Sequence, residues 1–140
     1  QDKYELIEWI IKSELLEPIK PLLNAGMIFE AIVLMLNNIS ANSVFYKKAL
    51  KLEGAVTFNQ IAMKCVYEMF MNIINEKSTG KKSKYRWLTP EVISTYYAQS
   101  LCFITEGWIA QGMDDIEPKE MAEAYMYLIT RSMDDILSEL

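Results

Sequence analysis

Histidine is absent from this 140-residue chain. Its absence removes Ser-His and Cys-His catalysis and the commonest transition-metal ligand. Cysteine is scarce. Cys65 and Cys102 are too few for a disulfide framework and stand at no metal-binding spacing. Both fall on apolar helical patterns, where buried, reduced thiols of a cytoplasmic protein are expected. Gly-x-Gly and Walker-type phosphate loops are missing. No run reaches the ~20 predominantly apolar residues of a membrane span. Residues 31–46 lack charge but are interrupted by three Asn and two Ser. No secretion signal precedes them. Positive charge is in deficit, with 14 Lys and Arg against 19 Asp and Glu. A net charge of −5 argues against a basic nucleic-acid-binding face on this segment. It leaves open a DNA-binding domain elsewhere in the parent protein. Asp114-Asp115 and Asp134-Asp135 are adjacent pairs whose side chains diverge, so they read as helix-end or surface charges. No catalytic, metal or cofactor site is expected, and the chain reads as a non-enzyme.

Apolar side chains are plentiful at 51%, with nine Met, three Trp, eight Tyr and five Phe. One domain of this size buries roughly 70% of its unfolded surface. The most apolar long helix is predicted over residues 88–113. Thr89 caps it, Pro90 suits its first position, Glu91 complements the dipole and Gly112 stops it. One face carries Ile93, Tyr97, Leu101, Ile104 and Trp108. The next carries Val92, Tyr96, Ser100, Phe103, Gly107 and Ala110. Glu106 is the only charge between Glu91 and the helix end. So wide an apolar surface predicts burial on two sides. The core supplies one side. The small residues Ser100, Gly107 and Ala110 suit close approach of another helix.

The remaining pattern is helical throughout. A first helix is expected over 2–17, capped by Asp2, ended by Pro18 and Pro21, with Trp9 in the core or a helix seam. A second runs over about 24–39. A short third covers 44–52, capped by Asn42 or Ser43. Thr57 caps a fourth, over 58–77, with two apolar faces. Phe58, Ile61, Ala62, Cys65, Met69 and Ile73 form one. Met63, Tyr67, Phe70, Met71 and Ile74 form the other, whose adaptable Met and single polar handle suit a pocket wall or ordinary core. Residues 76–85 read as a mobile Lys/Ser/Gly loop, its basic cluster being Lys77, Lys81, Lys82, Lys84 and Arg86. A last helix runs from Pro118 to about 137. The short connection predicts that the last two long helices form an antiparallel hairpin. The expected fold is all-α, a bundle of about six helices.

Two stretches carry a family resemblance. The opening QDKYELIEWI, through Asp2, Lys3, Leu6 and Ile7, resembles the close of a TetR-type helix-turn-helix domain, where the chain enters a long linking helix. The second stretch is Tyr96-Tyr97, Gly107-Trp108-Ile109, Gly112-Met113 and Pro118-x-Glu120-Met121-Ala122. It resembles the signature near the end of many TetR C-terminal domains. The middle, VFYKKALKLEGAVTFNQIAMKCVYEMF, is similar to a subgroup that includes regulators of dihydroxyacetone kinase operons.

The resemblance implies residues 1–17 as a linking helix continuing from a helix-turn-helix domain not present here. It implies 18–140 as a ligand-binding and dimerisation domain. The last two long helices would form a four-helix bundle in a homodimer, through Tyr96, Ser100, Phe103, Gly107, Ala110, Tyr125, Leu128 and Ile129. A small apolar effector would occupy a cavity bounded by the linking, second, fourth and long apolar helices, with Met35, Tyr67, Met71 and Tyr97 as candidate contacts. Operator DNA would be bound through the upstream domain. Two recognition helices sit about 34 Å apart in such a dimer, and a shift of the linking helix would lose the operator. The alternative is a module that answers to a protein partner, which predicts a filled core and an exposed apolar patch. A helical carrier or enzyme unrelated to transcription is a third reading.

Overall fold

A computed structural model describes residues 2–80 and 82–140. Lys81 of the basic cluster lies outside the described residues. The first helix, α1 (Lys3–Ile10), is capped by Asp2, whose Oδ1 accepts from the Glu5 N–H at 2.8 Å. It continues without a break as a π-helical segment, Ile11–Leu16, in which the Glu17 N–H reaches the Lys12 carbonyl at 2.9 Å. Ile7, Ile11, Leu15 and Leu16 bury one side of this rod. Trp9 is 61% exposed, against the expectation of a core or seam position.

Pro18 ends the rod, as expected, but the chain then forms a short helix, α2 (Lys20–Asn24), with Pro21 in its first turn. Gly26 takes φ +77° and breaks it from α3 (Ile28–Ala41). The second helix therefore begins four residues later than its periodicity suggests. Its stripe, Ala31, Ile32, Met35, Leu36 and Ile39, is buried throughout. At Asn42 the chain bends by 90° into α4 (Ser43–Leu50). Asn42 holds the cap position without a side-chain hydrogen bond. Gly54, at φ +129°, lies so close to α1 that a Cβ there would stand 3.1 Å from Tyr4 Oη.

Helix α5 (Phe58–Lys77) opens on a reciprocal cap. Thr57 Oγ1 accepts from the Gln60 N–H at 3.2 Å, and Gln60 Oε1 accepts from the Thr57 N–H at 2.8 Å. Phe58, Ile61, Ala62, Cys65 and Met69 are buried, and the second face, with Met63, Tyr67, Phe70, Met71 and Ile74, is half-buried. Helix α6 (Pro90–Ala110) has the expected Thr89 cap, which accepts from the Val92 N–H at 3.2 Å. It packs along α5 as the central pair. Ser94, Ala98, Leu101, Cys102, Trp108 and Ile109 form its buried stripe.

Gly112 (φ +97°) and Met113 (φ +67°) reverse the chain. Trp108 Nε1 closes the turn by donating to the Ile116 carbonyl at 2.9 Å. Helix α7 (Pro118–Thr130) returns antiparallel, its Tyr125 hydroxyl 2.9 Å from Ser100 Oγ. The hairpin is splayed, and α7 packs chiefly on α3 rather than on α6. The expected single last helix is broken at Arg131, where Ser132 caps α8 (Met133–Glu139) by accepting from the Asp135 N–H at 3.1 Å. The fold is all-α, with eight α-helices and the π segment among the described residues. The two extra helices, α2 and α8, are too short for a hydrophobic period to separate from their neighbours.

Candidate functional site

Three features could receive a signal or a partner: a small core cavity, a groove at the start of α6 and the outer face of that helix. The cavity lies among the four elements expected to enclose it. Ile11, Leu15 and Leu16 come from the π segment, Met35 and Ile39 from α3, Ala62 and Val66 from α5, and Leu101, Cys102, Thr105 and Glu106 from α6. Its volume is about 30 Å³, whereas small-molecule pockets run from about 300 Å³ upward. In this conformation it is a packing void.

Two polar groups border the void. Thr105 Oγ1 is buried and has no hydrogen-bond partner among the described residues. Glu106 is held by Asn59, whose Nδ2 donates to Oε2 at 2.7 Å. Partial burial raises the Glu106 pKa, and the Asn59 hydrogen bond pulls the other way. Burial, reinforced by the Glu106 charge, pushes the Cys102 thiol up to about 12. Burial likewise takes Cys65 to about 11. Both thiols are therefore protonated and unreactive near neutral pH. Among the described residues no three His, Cys, Asp or Glu side chains gather to hold a metal.

The polar contacts along α1 set how firmly it is held. Glu8 accepts from Lys64 at 2.9 Å and from Lys12 at 3.2 Å, and Lys12 also lies 3.5 Å from Glu68. The hydrogen bond from Lys64, then that from Lys12, lowers the Glu8 pKa. Farther along, the Glu14 carbonyl accepts from Asn38 Nδ2 at 3.1 Å, and the Glu14 carboxylate accepts from Tyr46 at 3.2 Å. The rod is thus pinned to α5 along both halves and, at its π-helical half, to α3 and α4 as well.

The four candidate ligand contacts do not meet. Met35 lines the small cavity. Tyr97 lines an open groove of about 680 Å³ at the start of α6, with Trp87, Leu88, Val92, Ile93 and Tyr96. Its ring lies 6.3 Å from that of Phe70. Tyr67 and Met71 are half-buried on the second face of α5 and border neither space. Nothing in the sequence marks Thr105 as a site residue, whereas Glu106 stands out as the lone charge of an apolar helix, the available signal for a half-buried carboxylate.

The residues assigned to a dimer seam divide into two groups. Tyr96 is 63% and Phe103 76% exposed, and Gly107 and Ala110 are exposed beside them. A side chain at Gly107 would meet nothing within 4 Å. Ser100 and Ile129 are half-buried and Leu128 is exposed, whereas Tyr125 is enclosed by its own chain between α6 and α7. Helix α6 therefore presents an apolar outer strip that includes Gly107.

Residues 27–131 match the family model TetR_C_8, the transcriptional regulator C-terminal region. The chain belongs to this TetR C-terminal family. The match covers α3 to α7 and includes both the buried stripe and the uncovered strip of α6. No curated protein and no solved structure matches the chain. A TetR C-terminal region is the regulatory part of a transcriptional regulator and is typically non-enzymatic. Among the described residues no single helix is long and apolar enough to cross a membrane.

Proposed function

We propose that this chain is the dimerising, signal-receiving region of a cytoplasmic TetR-like repressor. Residues 1–17 act as the linking helix to an upstream helix-turn-helix head that binds operator DNA, and residues 18–140 form the body. The observation that carries this reading is the uncovered strip of α6, where Tyr96, Phe103 and Gly107 follow one another on one face at spacings of seven and four residues. Exposed aromatics of this size on a two-faced helix fit a helix–helix seam between two copies. Sedimentation of wild type and Phe103→Asp tests it. The wild-type chain is expected to be a dimer and the variant a monomer of unchanged helicity. A monomeric wild type would end the proposal.

The filled interior supports a protein partner as the input, in keeping with the similarity to regulators of dihydroxyacetone kinase operons. An effector protein would shift the linking helix through the contacts at Glu8 and Glu14 and so change the spacing of the two heads. One observation favours the second reading, release by a small apolar ligand. The Thr105 hydroxyl, without a partner among the described residues, gives the void a neutral polar handle beside Glu106.

A further inference from the structure

We propose that α8 of one copy docks in the aromatic groove at the start of α6 in a second copy. This rests on the dimer reading above. Helix α8 lies beyond the stretch that matches the family, so it is an addition to the shared core. Met133, Leu137 and Leu140 stand one turn apart along it and are 74%, 59% and 94% exposed. Its own chain holds the helix through Ile136, which is half-buried, and through polar contacts. Glu139 accepts from the Tyr127 hydroxyl and lies 3.8 Å from Arg131. The apolar stripe is left without a partner.

The groove offers what that stripe needs. Trp87 is 75% exposed and Tyr96 63%. Lys82, Lys84 and Arg86 precede it, and none forms an ion pair among the described residues. Asp134 and Asp135 on α8 form none either. An amphipathic acidic helix matches, in apolar character and in charge, an aromatic groove that follows a basic stretch.

Charge complementarity between Asp134 and Asp135 of α8 and Lys82, Lys84 and Arg86 before the groove argues for a second copy of this chain as the occupant. Within one chain the groove and the apolar side of α8 both stay uncovered. Tyr96 belongs both to the groove and to the proposed seam, so the groove is continuous with that seam.

Leu137→Cys and Thr95→Cys, purified separately and mixed under subunit exchange, test the proposal. Thr95 lines the groove, and the native Cys65 and Cys102 are buried. Mild oxidation is expected to give a disulfide-linked dimer from the mixture and not from either variant alone. Deleting residues 132–140 is expected to weaken the dimer roughly tenfold, with the difference shrinking at high salt. A dimer by sedimentation that never cross-links overturns the α8 exchange and leaves the α6 seam standing. A Leu137→Cys/Thr95→Cys double variant that closes its disulfide at monomer mass overturns it in favour of docking within one chain. A monomeric wild type overturns both readings.

Discussion

Tyr46, fully enclosed, donates its phenol to the Glu14 carboxylate 3.2 Å away. Burial, with the Glu14 charge beside it, raises the Tyr46 pKa far above its ordinary value, so the group acts only as a donor. Asn38 holds the carbonyl of the same Glu14. Two side chains from α3 and α4 thus anchor the end of the π segment, where an α-helical pattern of bonds is not satisfied. Tyr46→Phe is expected to lower stability by about 1–2 kcal/mol, the low side for a hydrogen bond to a charged group, since Glu14 is only partly buried. Urea titration checks this. An unchanged midpoint would mean that the pair contributes nothing.

Two carboxylates should respond to pH in opposite senses. Glu106 has a folded-state pKa raised above its ordinary 4.5 by burial. Its charge therefore opposes folding at neutral pH, and that opposition fades as pH falls through the raised value toward 4.5. Glu106→Gln keeps an acceptor for Asn59 and is expected to be the more stable form at pH 7, with the advantage gone at pH 4. Glu8 has its pKa lowered by Lys64 and Lys12. Its contribution is full above 4.5 and is lost as pH falls through the lowered value. Glu8→Gln is expected to be the less stable form at pH 7. Thermal melts across this range would show both trends, and parallel curves for wild type and variants would refute them.

Thr105→Val replaces a buried, unpaired hydroxyl with a methyl of the same shape. The variant is expected to gain about 1 kcal/mol, measured by denaturant unfolding. A loss of stability would show that the hydroxyl is satisfied in solution. If the small-ligand reading holds, the variant should also lose its response to the effector, because the void keeps no other neutral polar handle.

Helix identity was legible where caps and period agreed. Thr57 with Gln60, Thr89 with Pro90, and Asp2 each sit at the start of a helix in sequence and in structure. The Gly112 stop was legible for the same reason, since its positive φ is a local property. The break at Arg131 was not. Ser132 is a good cap, but Met133 and Ile136 continue the apolar period across it, so periodicity alone joined two helices. The outward position of Trp9 was hidden because helical spacing places Trp9 on a face without saying what covers that face. The π segment has no sequence mark, as its residues are ordinary helix formers. The outer strip of α6 was readable because too many apolar positions lay around one helix for a single core to use. The separation of Met35, Tyr67, Met71 and Tyr97 was not readable, because it depends on how α3, α5 and α6 cross.

The most direct test of the central claim is the mass of Gly107→Leu in solution. Within one chain this change meets open space and replaces a poor helix former with a good one, a gain of up to about 1 kcal/mol. Any loss of assembly therefore comes from the seam. Analytical ultracentrifugation is expected to find wild type at twice the 16.2 kDa chain mass and Gly107→Leu at the single-chain mass with full helicity. A Gly107→Leu dimer as tight as wild type would contradict α6 as the interface.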